Sequence, residues 1–228
     1  MEDEVLKHAN KIYHTVKDQR HTFWEKVREI IIEIFIIVFA VTLSISLHGW
    51  SEDRHEQKEV KEFLSGLKND LTHDIDILQQ NRQLMTKLDS NLRYVLSLKK
   101  GQLPDSVLGR HLEFYIPETR ANTGRYEGFK SSGKIGTIED DSLKQSILRY
   151  YQSLLPGLNY SETFINPLQL KILYLEIDKP ANISLNDFVS TQKFKTLLVL
   201  CQHNIDIEAY NKAIKQAKAI IVAIDEHK

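Results

Sequence analysis

The chain has 228 residues, 30 Lys and Arg against 31 Asp and Glu, and a formal net charge of −1. That balance excludes the strongly basic surface of a nucleic-acid binder, and a hydrophobic share of 42% excludes a disordered, highly charged chain. Its 9 Gly and 5 Pro are too few turn formers for a sandwich or barrel, and the lone cysteine, Cys201, excludes an intrachain disulfide or a thiolate-rich metal centre. The fold class expected is all-α, with one N-terminal transmembrane helix continuing into a long helix that packs with a C-terminal helical bundle.

Residues 1–22 place Val5, Leu6, Ala9, Ile12, Tyr13 and Val16 at helical spacing among Lys7, Lys11 and Lys17, the pattern of an amphipathic segment on a membrane surface. Residues 23–50 are read as a transmembrane helix with interfacial flanks. Ile30 to Leu47 is an apolar run of 18 residues with a single charge, Glu33. At 1.5 Å per residue it covers about 27 Å, enough for a bilayer core. A cleaved signal peptide fits worse, having a shorter apolar run nearer the chain start. Phe23 and Trp24 before the run and Trp50 after it are the expected interface anchors. Within 20 residues of each end, five Lys or Arg precede the span and three follow it, which favours a cytoplasmic N-terminus. Glu33 has two leading readings, and a third, a proton-conducting carboxylate, has no second intramembrane ionisable group to support it. Glu33 lies one turn inside the span, where a carboxyl snorkels or protonates; it also shares a helical face with Ala40 and Ser44, a small-xxx-small pair suited to contact with another helix.

Residues 51–100 are read as a long heptad-patterned helix. From Val60 the apolar residues step by four and three through Leu64, Leu67, Leu71, Leu78, Met85, Leu88, Leu92 and Val95, a coiled-coil spacing interrupted by Asp74 and Asn81. The two polar residues are expected to set register or to face water. With no proline before Pro104, the membrane helix is expected to continue to about Leu98, bending at Gly49 or Gly66.

Residues 101–228 are expected to form an extracytoplasmic bundle with 51–100. Gly101, Pro104 and Gly109 end the long helix, and mixed turn signals follow to about Thr137. A helix from Glu139 to Leu155 is expected to close at Pro156-Gly157. The next runs from Ser161 to Ile177, delayed or kinked by Pro167, and the last from about Leu185 or Ser190 to Glu226.

Candidate chemistry is sparse. Gly128 to Lys134 has phosphate-loop spacing, but Ile135 stands where a Ser or Thr would hold magnesium and no strand precedes it; nucleotide binding is not expected, and Ser131-Ser132-Gly133 reads as a helix end closed by a left-handed glycine. His48, Glu52, His55 and Glu59 recur at helical spacing, as do His14, Asp18 and His21, a loose pattern more common on charged helix faces than in metal sites. No catalytic motif is present. No catalytic, cofactor or metal residue is therefore assigned.

Glu33 in an Ile/Val-rich span, followed by Trp50-Ser51-Glu52-Asp53-Arg54, resembles a large family of short Bacteroidota membrane proteins of unknown function with a Trp-x-Glu-x-Arg signature. Tyr126 to Tyr151 is similar to that family's second signature, with Ser131, Ser132 and Gly133 at its centre. His48-Gly49 departs from the polar pair usual before the tryptophan. The resemblance runs from about Trp24 to Leu155 and implies a single-pass protein of a bacterial inner membrane, with a cytoplasmic N-terminus and a periplasmic C-terminal domain. The function expected is a non-enzymatic, membrane-anchored interaction or scaffold protein. The alternative is an extracytoplasmic ligand-binding or sensory module that works through a partner membrane protein, with a pocket around Arg120 to Lys134. Expected partners are the lipid bilayer and either a second copy or another membrane protein, met through the span and the heptad face.

Overall fold

A computed structural model describes residues 7, 13, 23–117 and 119–226. All regular elements among them are helical. The chain divides into two compact units, Met1–Glu59 and Val60–Lys228. Helix α1, Phe23–Ser97, is unbroken through Gly49 and Gly66.

In the first unit, α1 carries the one helix segment among the described residues that is long and apolar enough to cross a membrane. Its most apolar 18-residue window is only 6% buried, the reverse of a soluble core helix. Ile31, Phe35 and Ile45 are 60%, 68% and 69% exposed. The surface segment expected over residues 1–22, with His14, Asp18 and His21, lies outside the described residues apart from Lys7 and Tyr13.

The second unit is built on the C-terminal part of α1. Around it lie α2 (Asp105–Arg110), α3 (Gly124–Ser131), a 3-10 turn (Lys134–Thr137) and α4 (Asp141–Arg149). A π-helical turn (Tyr150–Leu154) leads into α5 (Leu155–Ile177), followed by α6 (Leu185–Val189), α7 (Gln192–His203) and α8 (Ile207–Glu226). Leu67, Leu71, Leu78, Met85, Leu88 and Leu92 of α1 share one core with Ile147 of α4, Leu158 and Ile165 of α5, Leu198 of α7 and Ala217 of α8. The four-and-three stripe is thus filled from within the chain, as the expected bundle of 51–100 with the C-terminal helices requires. Three polar contacts give the direction of packing. Lys68 Nζ meets Asp225 at 2.7 Å, Arg82 donates to Asn211 Oδ1 at 3.2 Å, and Gln202 Nε2 donates to Asp89 Oδ1 at 2.9 Å. As α1 advances from Lys68 to Arg82 its partners on α8 retreat from Asp225 to Asn211, so α8 runs antiparallel to it.

Two expected boundaries are corrected. Pro156-Gly157 does not end a helix, because the five-residue π turn immediately before it admits the proline ring, whose clash with the preceding turn would otherwise break the helix. The last expected helix is three helices. Ser184 Oγ accepts from Asp187 N at 3.0 Å, Thr191 Oγ1 from Phe194 N at 3.4 Å and Asp206 Oδ1 from Ala209 N at 2.9 Å, so each start is fixed by its own side-chain oxygen. The start of α6 is also held from outside: the Asp105 carboxylate accepts from Leu185 N at 2.6 Å and Asn186 N at 3.1 Å. The Leu185 N–H above all, with the Asn186 side chain, keeps the Asp105 carboxyl below its usual range.

At Gly66 the Arg125 guanidinium lies over the helix, where a Cβ would overlap, and donates to Asp70 Oδ2 at 2.9 Å one turn farther along.

Candidate functional site

The polar interior of the second unit is concentrated around the non-helical residues between α2 and α3. Residues 113–117 and 119–123 form a strap with no helical hydrogen bonds of its own, and a buried backbone in that state needs partners from elsewhere. Side chains of the neighbouring helices supply them. On the α1 side, Asp74 Oδ1 accepts from Asn122 N at 2.9 Å and from Asn122 Nδ2 at 3.0 Å. Asn81 Nδ2 donates to Thr119 Oγ1 at 3.2 Å and Asn81 Oδ1 accepts from the Tyr115 hydroxyl at 3.4 Å. On the α5 side, Glu162 accepts from Thr119 N at 3.0 Å and Thr119 Oγ1 at 2.5 Å. Asn166 Nδ2 donates to Pro117 O at 2.9 Å, and Gln169 Oε1 accepts from Tyr115 N at 3.1 Å. Tyr210 of α8 closes the set, donating to Glu162 Oε1 at 2.7 Å.

The spacing is mechanical. Asp74 and Asn81 are seven residues apart, about 10.5 Å along a helix, while Asn122 and Thr119 are three residues apart, about 10 Å when extended. The same seven-residue step separates Glu162 from Gln169. The strap runs antiparallel to α1, and the register continues into α3, whose Phe129 ring stacks on Phe63 at 3.9 Å.

Burial governs the electrostatics. Asp74 is 1% exposed, and loss of water raises its carboxyl above the ordinary 3.8, against the lowering effect of its bonds to Asn122. The Tyr150 hydroxyl, which donates to Asp74 Oδ2 at 3.4 Å, is pushed far up by burial and then by that carboxylate. Tyr151, stacked on Tyr126 at 4.3 Å, and Tyr210 are raised chiefly by burial as well. Burial pushes the Cys201 thiol up to about 12, so it packs as a small apolar group and stays protonated at neutral pH. Beside Glu162 the free space is about 10 Å³, room for at most one water. These groups tie the strap down. Two amide atoms, Asn166 Oδ1 and Gln169 Nε2, have no hydrogen-bonding partner among the described residues.

The residues singled out from sequence lie elsewhere. Glu33 is the one buried residue between positions 30 and 47, at 5% exposure, whereas Ala40 is exposed and Ser44 half-buried. Trp24 and Trp50 are exposed at 76% and 57%, and of Phe23 only the helical backbone is described. Glu52 and Arg54 are exposed on the same helix. Ser131, Ser132 and Gly133 end α3 as expected: Gly133 has φ 77°, its N–H donates to Lys130 O at 3.0 Å, and Ser132 N donates to Gly128 O at 3.1 Å. Around Arg120 to Lys134 the aromatic groups are packed, with Tyr126 fully buried. His55 meets Glu59 at 3.7 Å, and among the described residues no group of three or more His, Cys, Asp or Glu is placed to hold a metal ion.

Residues 33–168, more than half of the chain, match the family of unknown function DUF6090. The chain belongs to that family. The match takes in the apolar part of α1, both α1 positions that hold the strap, the strap itself and Glu162 on α5, and it stops just before Gln169. No curated protein and no solved structure matches the chain.

Sequence reading missed Thr119, Asn122, Glu162, Gln169 and Tyr210, and left Asp74 and Asn81 either setting register or facing water. The available signal was their seven-residue separation inside an otherwise apolar stripe, with Glu162 and Gln169 repeating it on a second helix.

Asp74 supplies a pH test. A carboxyl raised in the fold keeps a proton that the unfolded chain has released, so its contribution to stability is fully present below 3.8 and is lost as pH rises through the folded value. Asp74→Asn keeps an acceptor for Asn122 and carries no charge. The variant is expected to gain on the wild type in melting temperature as pH rises from acid to neutral, measured by circular dichroism; parallel pH profiles would show that Asp74 carries no such linkage.

Proposed function

We propose that the chain is a membrane-anchored helical interaction or scaffold protein of a bacterial inner membrane, with a cytoplasmic N-terminus, a periplasmic C-terminal unit and no catalysis of its own. The exposed apolar run of α1 carries this reading: side chains such as Phe35 and Ile45, more than two-thirds exposed, are costly in water and suited to lipid. The excess of Lys and Arg before the span supports the orientation. The interaction role is supported by the outer side of α5, where Tyr160, Phe164 and Tyr174 are 66%, 51% and 63% exposed. Within the span, exposed Ala40 with Ser44 is suited to close helix contact.

The test is membrane fractionation with a carbonate wash. Wild type is expected in the washed pellet, with its C-terminal unit cut by protease added outside spheroplasts. Val38→Arg together with Phe39→Arg costs about 5–7 kcal/mol of insertion and is expected to move the protein out of the pellet. Wild type in the supernatant would reject the anchor. For the contact face, Ala40→Leu is expected to lower cross-linking between copies; unchanged cross-linking removes that face from assembly.

A further inference from the structure

Beyond the last apolar residue of the span, Leu47, the helix changes character within one turn. Trp50 follows at three residues, about 5 Å along the axis, and Arg54 at seven, about 10 Å. Helical side chains lean toward the N-terminus, so an arginine four residues after a tryptophan can reach back onto it. Arg54 does so: its guanidinium carbon lies 4.3 Å from the Trp50 ring centroid. The cation is thereby brought back to the depth of Trp50. A bilayer carries about 5–7 Å of headgroup region outside each side of its hydrocarbon core.

We propose that Trp50 and Arg54 form a binding site for the phosphate of a phospholipid headgroup, an inference that rests on the membrane-spanning reading of Ile30 to Leu47. A guanidinium held over an indole presents N–H donors in the fork that matches two phosphodiester oxygens. Trp50 is 57% exposed and Arg54 is exposed, so the pair is open to a ligand. Glu52, Glu56 and Glu59 fall on the opposite face of the helix, while Lys58 and Asp53 flank the pair on either side. Arg54 is the cation over the indole itself. The pair would fix the depth at which the helix leaves the lipid, a task for which an apolar run alone gives no sharp stop.

The experiment uses the whole 228-residue chain in nanodiscs containing equal phosphatidylglycerol and phosphatidylcholine, with Trp24→Phe so that Trp50 is the remaining one of the chain's 2 tryptophans. Phosphatidylglycerol retained on the protein is counted by native mass spectrometry, and Trp50 depth is read by quenching with lipids brominated at defined positions. Arg54→Gln is expected to lower phosphatidylglycerol retention about fivefold and Arg54→Lys to recover only part of it. Trp50 is expected to be quenched by shallow labels. Equal retention by wild type and Arg54→Gln overturns the site while a carbonate-resistant pellet leaves the anchor intact; a carbonate-soluble protein overturns both. Inorganic phosphate added to the detergent-solubilised chain is expected to leave Trp50 emission unchanged, and a saturable shift overturns the assignment to lipid.

Discussion

Glu162→Leu is expected to lower the unfolding free energy by about 3–5 kcal/mol. Three donors converge on this carboxylate, the Thr119 N–H, the Thr119 hydroxyl and the Tyr210 hydroxyl, at 3.0, 2.5 and 2.7 Å. Leucine fills the volume and accepts none of them. Each donor left dry costs about 1–3 kcal/mol, and the three share one site, so the losses fall short of their sum. Thr119 is itself the acceptor for Asn81, which makes the loss spread to the α1 side of the strap. Glu162→Gln retains one acceptor oxygen and is expected to lose about half as much. Against a typical total of about 5–15 kcal/mol, the leucine variant sits near the limit of folding. Urea unfolding of the whole chain in detergent, followed by circular dichroism, measures the difference; a leucine variant within 1 kcal/mol of wild type would mean that water replaces the carboxylate and the strap is not held here.

The strap explains why one part of this molecule was legible in its sequence and another was not. The all-α class followed from the scarcity of turn formers, and the exposed apolar run from the unbroken stretch between Ile30 and Leu47. Both are local properties. Periodicity also marked the buried side of α1, since Leu67, Leu71, Leu78 and Leu92 are fully buried. It could not tell what buries them. A four-and-three stripe is the same whether the cover is a second chain or the chain's own later helices, and so Asp74 and Asn81 read equally as register-setting or water-facing residues. Their true partners stand 48 and 38 residues away, in a segment with no periodicity to read. Glu162 was hidden for a related reason: α5 is apolar around much of its circumference, so a carboxylate on it did not look like an intruder. Pro156 misled because its usual effect on a helix is absorbed by the π turn before it, and the close approach of Arg125 over Gly66 was hidden because a contact from another helix leaves no local mark.

Leu78→Ala separates the two possible covers of the α1 stripe. Leu78 is fully buried between Asp74 and Asn81, the two residues that hold the strap. Truncation removes the transfer free energy of three carbons and leaves a cavity in a close-packed core, about 2–5 kcal/mol in all. For a chain of this size that lowers the melting temperature by about 5–15 °C. The dependence on concentration carries the decision. A core closed within one chain melts at a temperature independent of protein concentration, in wild type and variant alike. A seam between chains gains stability with concentration by mass action, so wild type and variant would both melt at higher temperature as protein is added. Ala replacing Leu43, which is 46% exposed in the apolar run of α1, is the control and is expected to shift the melt of the same chain by no more than a degree or two. A concentration-dependent melt in Leu78→Ala would place a second copy against α1; a concentration-independent melt assigns the whole stripe to the chain's own bundle.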